Sequence, residues 1–209
     1  MRFLRRFLAL LLPVFLLWSS AHAETLTGKD LVAALRKGGY VIVMRHASSP
    51  RTPPDAGHAN PDNTAHERQL DEVGRTSART LGDALRRLRI PVGAVLSSPT
   101  YRALETLRLA QLDHPTTATE LGDSGQSMQA DPSGARGTWL RNKAAQAPRP
   151  GTDTIIVTHF PNIREAFPDN ATALGDGEAL IFQPDGHGGA SLVARVKIEE
   201  WPQLEAKGP

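Results

Sequence analysis

The chain has no cysteine. That absence excludes disulfides, a thiol nucleophile, cysteine-type zinc sites and lipid attachment through an N-terminal cysteine. A chain without thiols tolerates an oxidising compartment. No internal repeat divides it. There is no Walker loop and no dinucleotide fingerprint, because Gly186-His187-Gly188-Gly189 has no helical pattern after it. Long apolar runs are also missing. The one candidate, Phe7 to Trp18, is interrupted by Pro13 and has 12 residues, whereas a membrane span needs about 20.

That short run has another reading. Arg2, Arg5 and Arg6 precede it, and Ser19-Ser20-Ala21-His22-Ala23 follows it with an Ala-x-Ala end. This is the tripartite pattern of a secretory signal, expected to be cleaved after Ala23 and to leave no membrane anchor. The expected organisation is therefore a signal over 1–23 and one domain over 24–209, with the periplasm or the exterior as destination. Removing three arginines and no acid takes the net charge from +2 to −1. The apparent basicity belongs to the targeting segment and gives no support to nucleic-acid binding. The remaining 186 residues suffice for one domain with a good core.

What is present is more specific. Tyr40 to Met44 and Thr154 to Thr158 are short β-branched runs, and each reads as a buried strand. Arg45-His46 follows the first, and His159 follows the second. In open α/β sheets, ligands bind beyond the carboxyl ends of strands. Parallel, adjacent strands would bring both histidines and Arg45 into one site. Two imidazoles and a guanidinium suit a phosphate.

Helical spacing predicts further elements. Thr27 is placed to cap a helix over about 28–37, which Gly38-Gly39 ends. Ala78, Leu81, Leu85 and Leu88 form the apolar stripe of a helix from Asp71 to Leu88, with Arg86 and Arg87 on its solvated side. A strand over 92–96 leads through Ser97-Ser98-Pro99 into a helix from about Thr100 to Ala110. Residues 111–153 read as irregular apart from a helix near 138–146. Pro161 suits the first turn of a helix starting near His159. Residues 179–182 and 191–198 flank a hairpin signal at 184–189. Strands alternate with helices, which implies a mainly parallel sheet wrapped by helices. The polar stretch 47–69 is too long for an ordinary connector and reads as a functional loop.

Four motifs occur in order: Met44-Arg45-His46-Ala47, Gln69-Leu70-Asp71-Glu72-Val73-Gly74-Arg75, Ser97-Ser98-Pro99-Thr100-Tyr101-Arg102-Ala103, and Val157-Thr158-His159-Phe160-Pro161-Asn162. Together they resemble the histidine phosphatase (phosphoglycerate mutase-like) superfamily, from about residue 38 to 182. The resemblance implies a three-layer α/β fold and phosphoryl transfer without metal or cofactor. It implies that His46 is the nucleophile that becomes phosphohistidine, with Arg45 and Arg102 on the phosphate and His159 as the second histidine of the pocket. Planar, always-charged guanidiniums match phosphate oxygens. His46 must be neutral at its attacking nitrogen, so its other nitrogen should donate to a backbone carbonyl. His159 should donate to the phosphate. The N-terminal turn of the helix bearing Arg102 should add amide donors and a favourable dipole.

Some assignments stay open at this level. Glu120 is the candidate proton donor to the leaving oxygen, with Asp123 as the alternative. Arg68 is a candidate to reach the pocket from the long loop, and Asn162 to contact the substrate. His58, His66 and His187 read as exposed, without metal-ligand spacing. Ala47 and Phe160 stand where many members have glycine. The missing His-Asp pair argues against the phytase and acid-phosphatase branch. Ser48-Ser49-Pro50-Arg51-Thr52 replaces the run typical of the mutases. The expected activity is hydrolysis of a small phosphomonoester. The alternatives are a phosphate-binding protein with little turnover and a phosphoprotein (phosphohistidine) phosphatase.

Overall fold

The computed structural model describes residues 25–50, 67–123, 128, 130–131 and 133–205. The expected signal segment, His58 and His66 lie outside these residues, as does most of the long polar stretch. Among the described residues, no helix is long and apolar enough to cross a membrane.

Six strands form one sheet. They are β1 (Val41–Arg45), β2 (Val92–Ser97), β3 (Thr116–Thr117), β4 (Asp153–Thr158), β5 (Ala179–Pro184) and β6 (Ala190–Val196), in the order β3-β2-β4-β1-β5-β6. β1, β2, β3 and β4 run parallel, while β5 and β6 add an antiparallel edge. The helices are α1 (Gly28–Lys37), α2 (Glu72–Arg87), α3 (Tyr101–Leu109), α4 (Ala135–Ala144) and α5 (Phe160–Ala166).

Alternation along the central strands builds the two cores. Ile42, Met44, Ile155 and Val157 face a cluster that includes Leu31 and Leu35 of α1, Leu81 and Leu85 of α2 and Leu107 of α3. Val41, Val43 and Ile156 point the other way, to Leu140 of α4 and Ile163 of α5. Successive side chains of a strand point to opposite faces. The continuous apolar runs of β1 and β4 therefore reflect helices on both sides.

Several local expectations are adjusted. Thr27 holds the N-cap position of α1, yet its side chain makes no capping bond. Asp71 caps α2 instead of belonging to it, accepting from the Gly74 amide at 2.7 Å. The stretch expected to be irregular contains β3 and a 3-10 turn over Thr119–Leu121, and its helix starts three residues earlier than the expected 138. A second 3-10 segment, Ile198–Gln203, buries Trp201 against the α2 side of the sheet.

Candidate active site

The site is assembled by strand register. β1 and β4 are parallel neighbours, with Arg45 opposite Thr158, and the His46 amide donates to the Thr158 carbonyl at 3.0 Å. The next residue on each strand is a histidine. The two imidazoles come to rest with ring centres 5.1 Å apart, and both are buried.

Hydrogen bonding fixes the tautomer of each ring. His46 Nδ1 lies 2.8 Å from the Ala47 carbonyl, which only accepts, so Nδ1 carries the proton. His46 Nε2 is left with its lone pair, facing Arg102 Nε at 3.3 Å and Arg68 Nη2 at 3.4 Å. A guanidinium only donates, so His159 Nδ1, 3.2 Å from Arg102 Nη2, is an acceptor. Its Nε2–H faces Ser98 Oγ at 2.9 Å and Thr100 Oγ1 at 3.2 Å. Burial, and then the Arg102 charge, hold both imidazoles well below the usual range, so both are neutral. His159 therefore acts as an acceptor towards Arg102 here. To donate to a phosphate through that nitrogen, His159 would need a proton on Nδ1 in place of this acceptor contact.

Arg102 is the hub. It sits in the first turn of α3, fully buried, and its Nη2 meets Asp123 Oδ2 at 2.7 Å. Its Nη1 has no partner among the described residues, and the same is true of Arg68 Nε. Buried donors without partners are costly, and a bound oxyanion would satisfy them. Burial, then Arg102 and Arg45, push the Arg68 guanidinium down to about 10. Arg45 is steered from outside the pocket: Nη2 meets Asp176 Oδ1 at 2.6 Å, and Nη1 approaches the Leu174 carbonyl at 3.4 Å.

Not every candidate arrives in the same place. His46, His159, Arg102 and Arg68 are brought together, with Arg45 at the rim. Asn162 is buried and gives its Nδ2 to the Glu120 carbonyl at 3.0 Å and to Thr158 Oγ1 at 3.2 Å. Those bonds tie the 3-10 turn to the strand end. Glu120 is half-buried on that turn. Its carboxylate accepts from Thr119 Oγ1 at 3.4 Å and makes no hydrogen bond to the histidine pair among the described residues. Asp123, the alternative acid, is the counter-ion of Arg102. The N-terminal amide of α3 is not open to a ligand, because Tyr101 N–H donates to Glu67 Oε2 at 2.6 Å. A carboxylate is the stronger acceptor for that helix end. His187 is exposed.

Sequence reasoning missed Asp176, Ser98 and Thr100 as partners of site residues. Ser98 and Thr100 lie within a motif already singled out, between β2 and Arg102. Asp176 lies in a loop whose polar residues carry no motif. Its placement depends on backbone bonds from Gly177 N–H to the His46 carbonyl and from Arg45 N–H to the Glu178 carbonyl.

The sequence model of the histidine phosphatase superfamily (branch 1) matches residues 41–123. No curated protein matches the sequence. Among solved structures, the protein histidine phosphatase SixA complexed with tungstate superposes with a TM-score of 0.53 at 17% identity, covering 77% of this chain and 98% of that one. A phosphoserine phosphatase mutant from Entamoeba histolytica, in complex with phosphoserine, superposes with a TM-score of 0.52 at 12% identity, over 77% and 98%. These likenesses are likenesses of fold. The family match and the ordered motifs identify residues 41–123 of this chain with the histidine phosphatase superfamily.

Proposed function

We propose that this protein is an exported, metal-independent phosphatase that hydrolyses a phosphomonoester through a phosphohistidine on His46. The observation that carries this reading is the lone pair of His46 Nε2, held by the Nδ1–H bond to Ala47 and ringed by guanidinium donors, two of them with an unpartnered nitrogen. In the first step Nε2 bonds to phosphorus as the ester P–O bond breaks. The leaving oxygen takes a proton from Glu120. Water then attacks the phosphoimidazole, gives its proton to the Glu120 carboxylate, and releases phosphate. Arg45, Arg68 and Arg102 offset the charge spread over the transferring oxygens, and His159 joins them once it carries a second proton. Glu120 is favoured over Asp123 because Asp123 is committed to Arg102. The turn bearing Glu120 is bonded to Thr158 and Asn162, on either side of His159. Export rests on the tripartite segment over residues 1–23.

A second reading, phosphohistidine hydrolysis, is favoured by one feature: the Glu120 carboxylate makes no hydrogen bond to the histidine pair among the described residues. A phosphorylated imidazole has an easier leaving group and needs a dedicated acid less. One experiment separates the readings. Glu120→Gln should slow an alkyl phosphate about 10²–10⁴-fold and p-nitrophenyl phosphate far less, because only the alkoxide needs the proton. Equal slowing would assign Glu120 a positioning role, and no effect would favour the acid-free reading. In parallel, His46→Ala should abolish turnover, phosphate should be trapped on His46 in the unaltered chain, and a chelator should leave the rate unchanged. Near-normal activity without His46 overturns the mechanism. Binding without turnover in the unaltered chain would make it a phosphate-recognising protein.

A further inference from the structure

Phe160 directly follows His159, at a position where glycine is the expected residue. Its ring is half-buried against the cluster that includes Leu140 and Ile163. Two guanidiniums lie over it: Arg45 at 5.9 Å and Arg164 at 5.4 Å from the ring centre. They are therefore no more than about 11 Å apart, both within the reach of a cation–π contact with one ring. Their situations differ. Arg45 belongs to the phosphate pocket and is matched by Asp176. Arg164 is exposed on α5 and has no hydrogen bond or ion pair among the described residues. The neighbouring Glu165 is turned away, with its carboxylate against Gly134 and Gly137 at the start of α4. An exposed arginine ordinarily samples many rotamers and gives up that freedom on binding. Here the ring that Arg45 also approaches restrains it, which would lessen the freedom lost on binding an anion.

We propose that Phe160 and Arg164 form a second anion subsite at the mouth of the pocket. The favoured substrates are phosphomonoesters whose leaving group bears a further anionic group, a carboxylate or a second phosphate. The proposal rests on the phosphatase reading of the His46 pocket and names its substrate class. Arg45, Arg68 and Arg102 take the phosphate to be cleaved, and Arg164 takes the distal anion in a charge-assisted hydrogen bond. Phe160 acts through Arg164 as a positioning residue.

The test compares butyl phosphate with two partners of matched chain, 4-phosphooxybutanoate and butane-1,4-diol bisphosphate. In the unaltered protein, kcat/KM should favour one or both doubly anionic compounds, and which one is favoured identifies the distal group. Arg164→Ala should reduce that ratio about tenfold, as expected for losing one charged hydrogen bond. Arg164→Glu should invert it, Arg164→Lys should restore part of it, and Phe160→Leu should weaken it with Arg164 still present. Added salt should shrink it, since the subsite is exposed. A ratio near one in the unaltered protein, or a ratio that Arg164→Ala leaves alone, overturns the subsite while turnover of butyl phosphate upholds the phosphatase reading. Titration calorimetry of the same compounds against His46→Ala gives the ratio as Kd values. An Arg164-dependent preference there, with no turnover by the unaltered protein, would retain the subsite and reject the phosphatase reading.

Discussion

On the proposed reading, Arg68 would serve the ligand at the expense of the empty protein. It shares a partly buried pocket with Arg45 and Arg102, and burial and those charges push its guanidinium down to about 10. Without an anion the three repel one another. With a phosphate their charges are matched and the unpartnered nitrogens of Arg68 and Arg102 gain acceptors. Arg68→Ala should therefore melt no lower than the unaltered protein in phosphate-free buffer, and lower than it once vanadate is present. A ligand that binds only the folded state adds about 2.7 kcal/mol at a hundred times its Kd, so differential scanning fluorimetry resolves the inversion. The same variant should lose roughly 10–100-fold in kcat/KM, the usual cost of one hydrogen bond to a charged group. A uniform drop in melting temperature, with or without vanadate, would instead assign Arg68 a structural role. His46, Arg102 and His159 were readable because each lies in a short motif at a strand or helix end. Asp176 was not, because a counter-ion brought in by a loop leaves no periodic mark.

At the scale of elements, α2 is held against two different neighbours by two glycines. A Cβ on Gly74 would stand 2.0 Å from the Ser48 carbonyl oxygen, and one on Gly82 would stand 2.1 Å from that of Ala110. Ser48 lies two residues after His46, and its hydroxyl and carbonyl both bond Asp71, the cap of α2. The start of α2 thus sets the path of the chain leaving His46, whereas Gly82 only fits α2 against the end of α3. Both alanine variants should lose about 1–3 kcal/mol of stability by overpacking. Gly74→Ala should also lower kcat, and Gly82→Ala should not, measured well below either melting temperature. Equal kcat in the two variants would remove the link between α2 and the site. The helices and central strands were legible from apolar spacing, to within a few residues at their ends. β3 was not, because two exposed threonines beside β2 have no pattern of their own. The 3-10 segment around Trp201 was missed for a related reason: its fold is dictated by one large buried ring, not by periodicity.

For the whole molecule, the two ends of the central strands face opposite demands. The carboxyl ends hold the neutral histidines. At the amino end of β4, Asp153 is buried, with Oδ1 accepting from Tyr40 N–H at 2.9 Å and Oδ2 without a partner among the described residues. Burial pushes its carboxyl up to about 7, and the Tyr40 bond only partly opposes this. The folded protein thus binds this proton more tightly than the unfolded chain does. Stability from this group is full below the unfolded value of about 3.9 and is lost as pH rises to about 7, beyond which no more is lost. At about 1.4 kcal/mol per unit, the effect is a few kcal/mol at most. Asp153→Asn should gain on the unaltered protein between pH 4 and 7 and hold a constant lead above that, with the histidine contributions common to both. A difference flat from pH 4 to 8 would show that the carboxyl is ionised throughout. The mainly parallel sheet was legible from alternating strands and helices, but its order was not, since neighbours such as β1 and β4 are remote in the chain. That remoteness has a kinetic side. Residues 41–45 and 154–158 must find one another before His46 and His159 share a pocket. Pairings this distant in sequence form slowly compared with helices. A full-length chain that has not yet paired these strands therefore contains every side chain of the candidate site and no site. Appearance of activity during refolding then works as a clock for closure of the central sheet, started only after the last residues of β4 are free to pair.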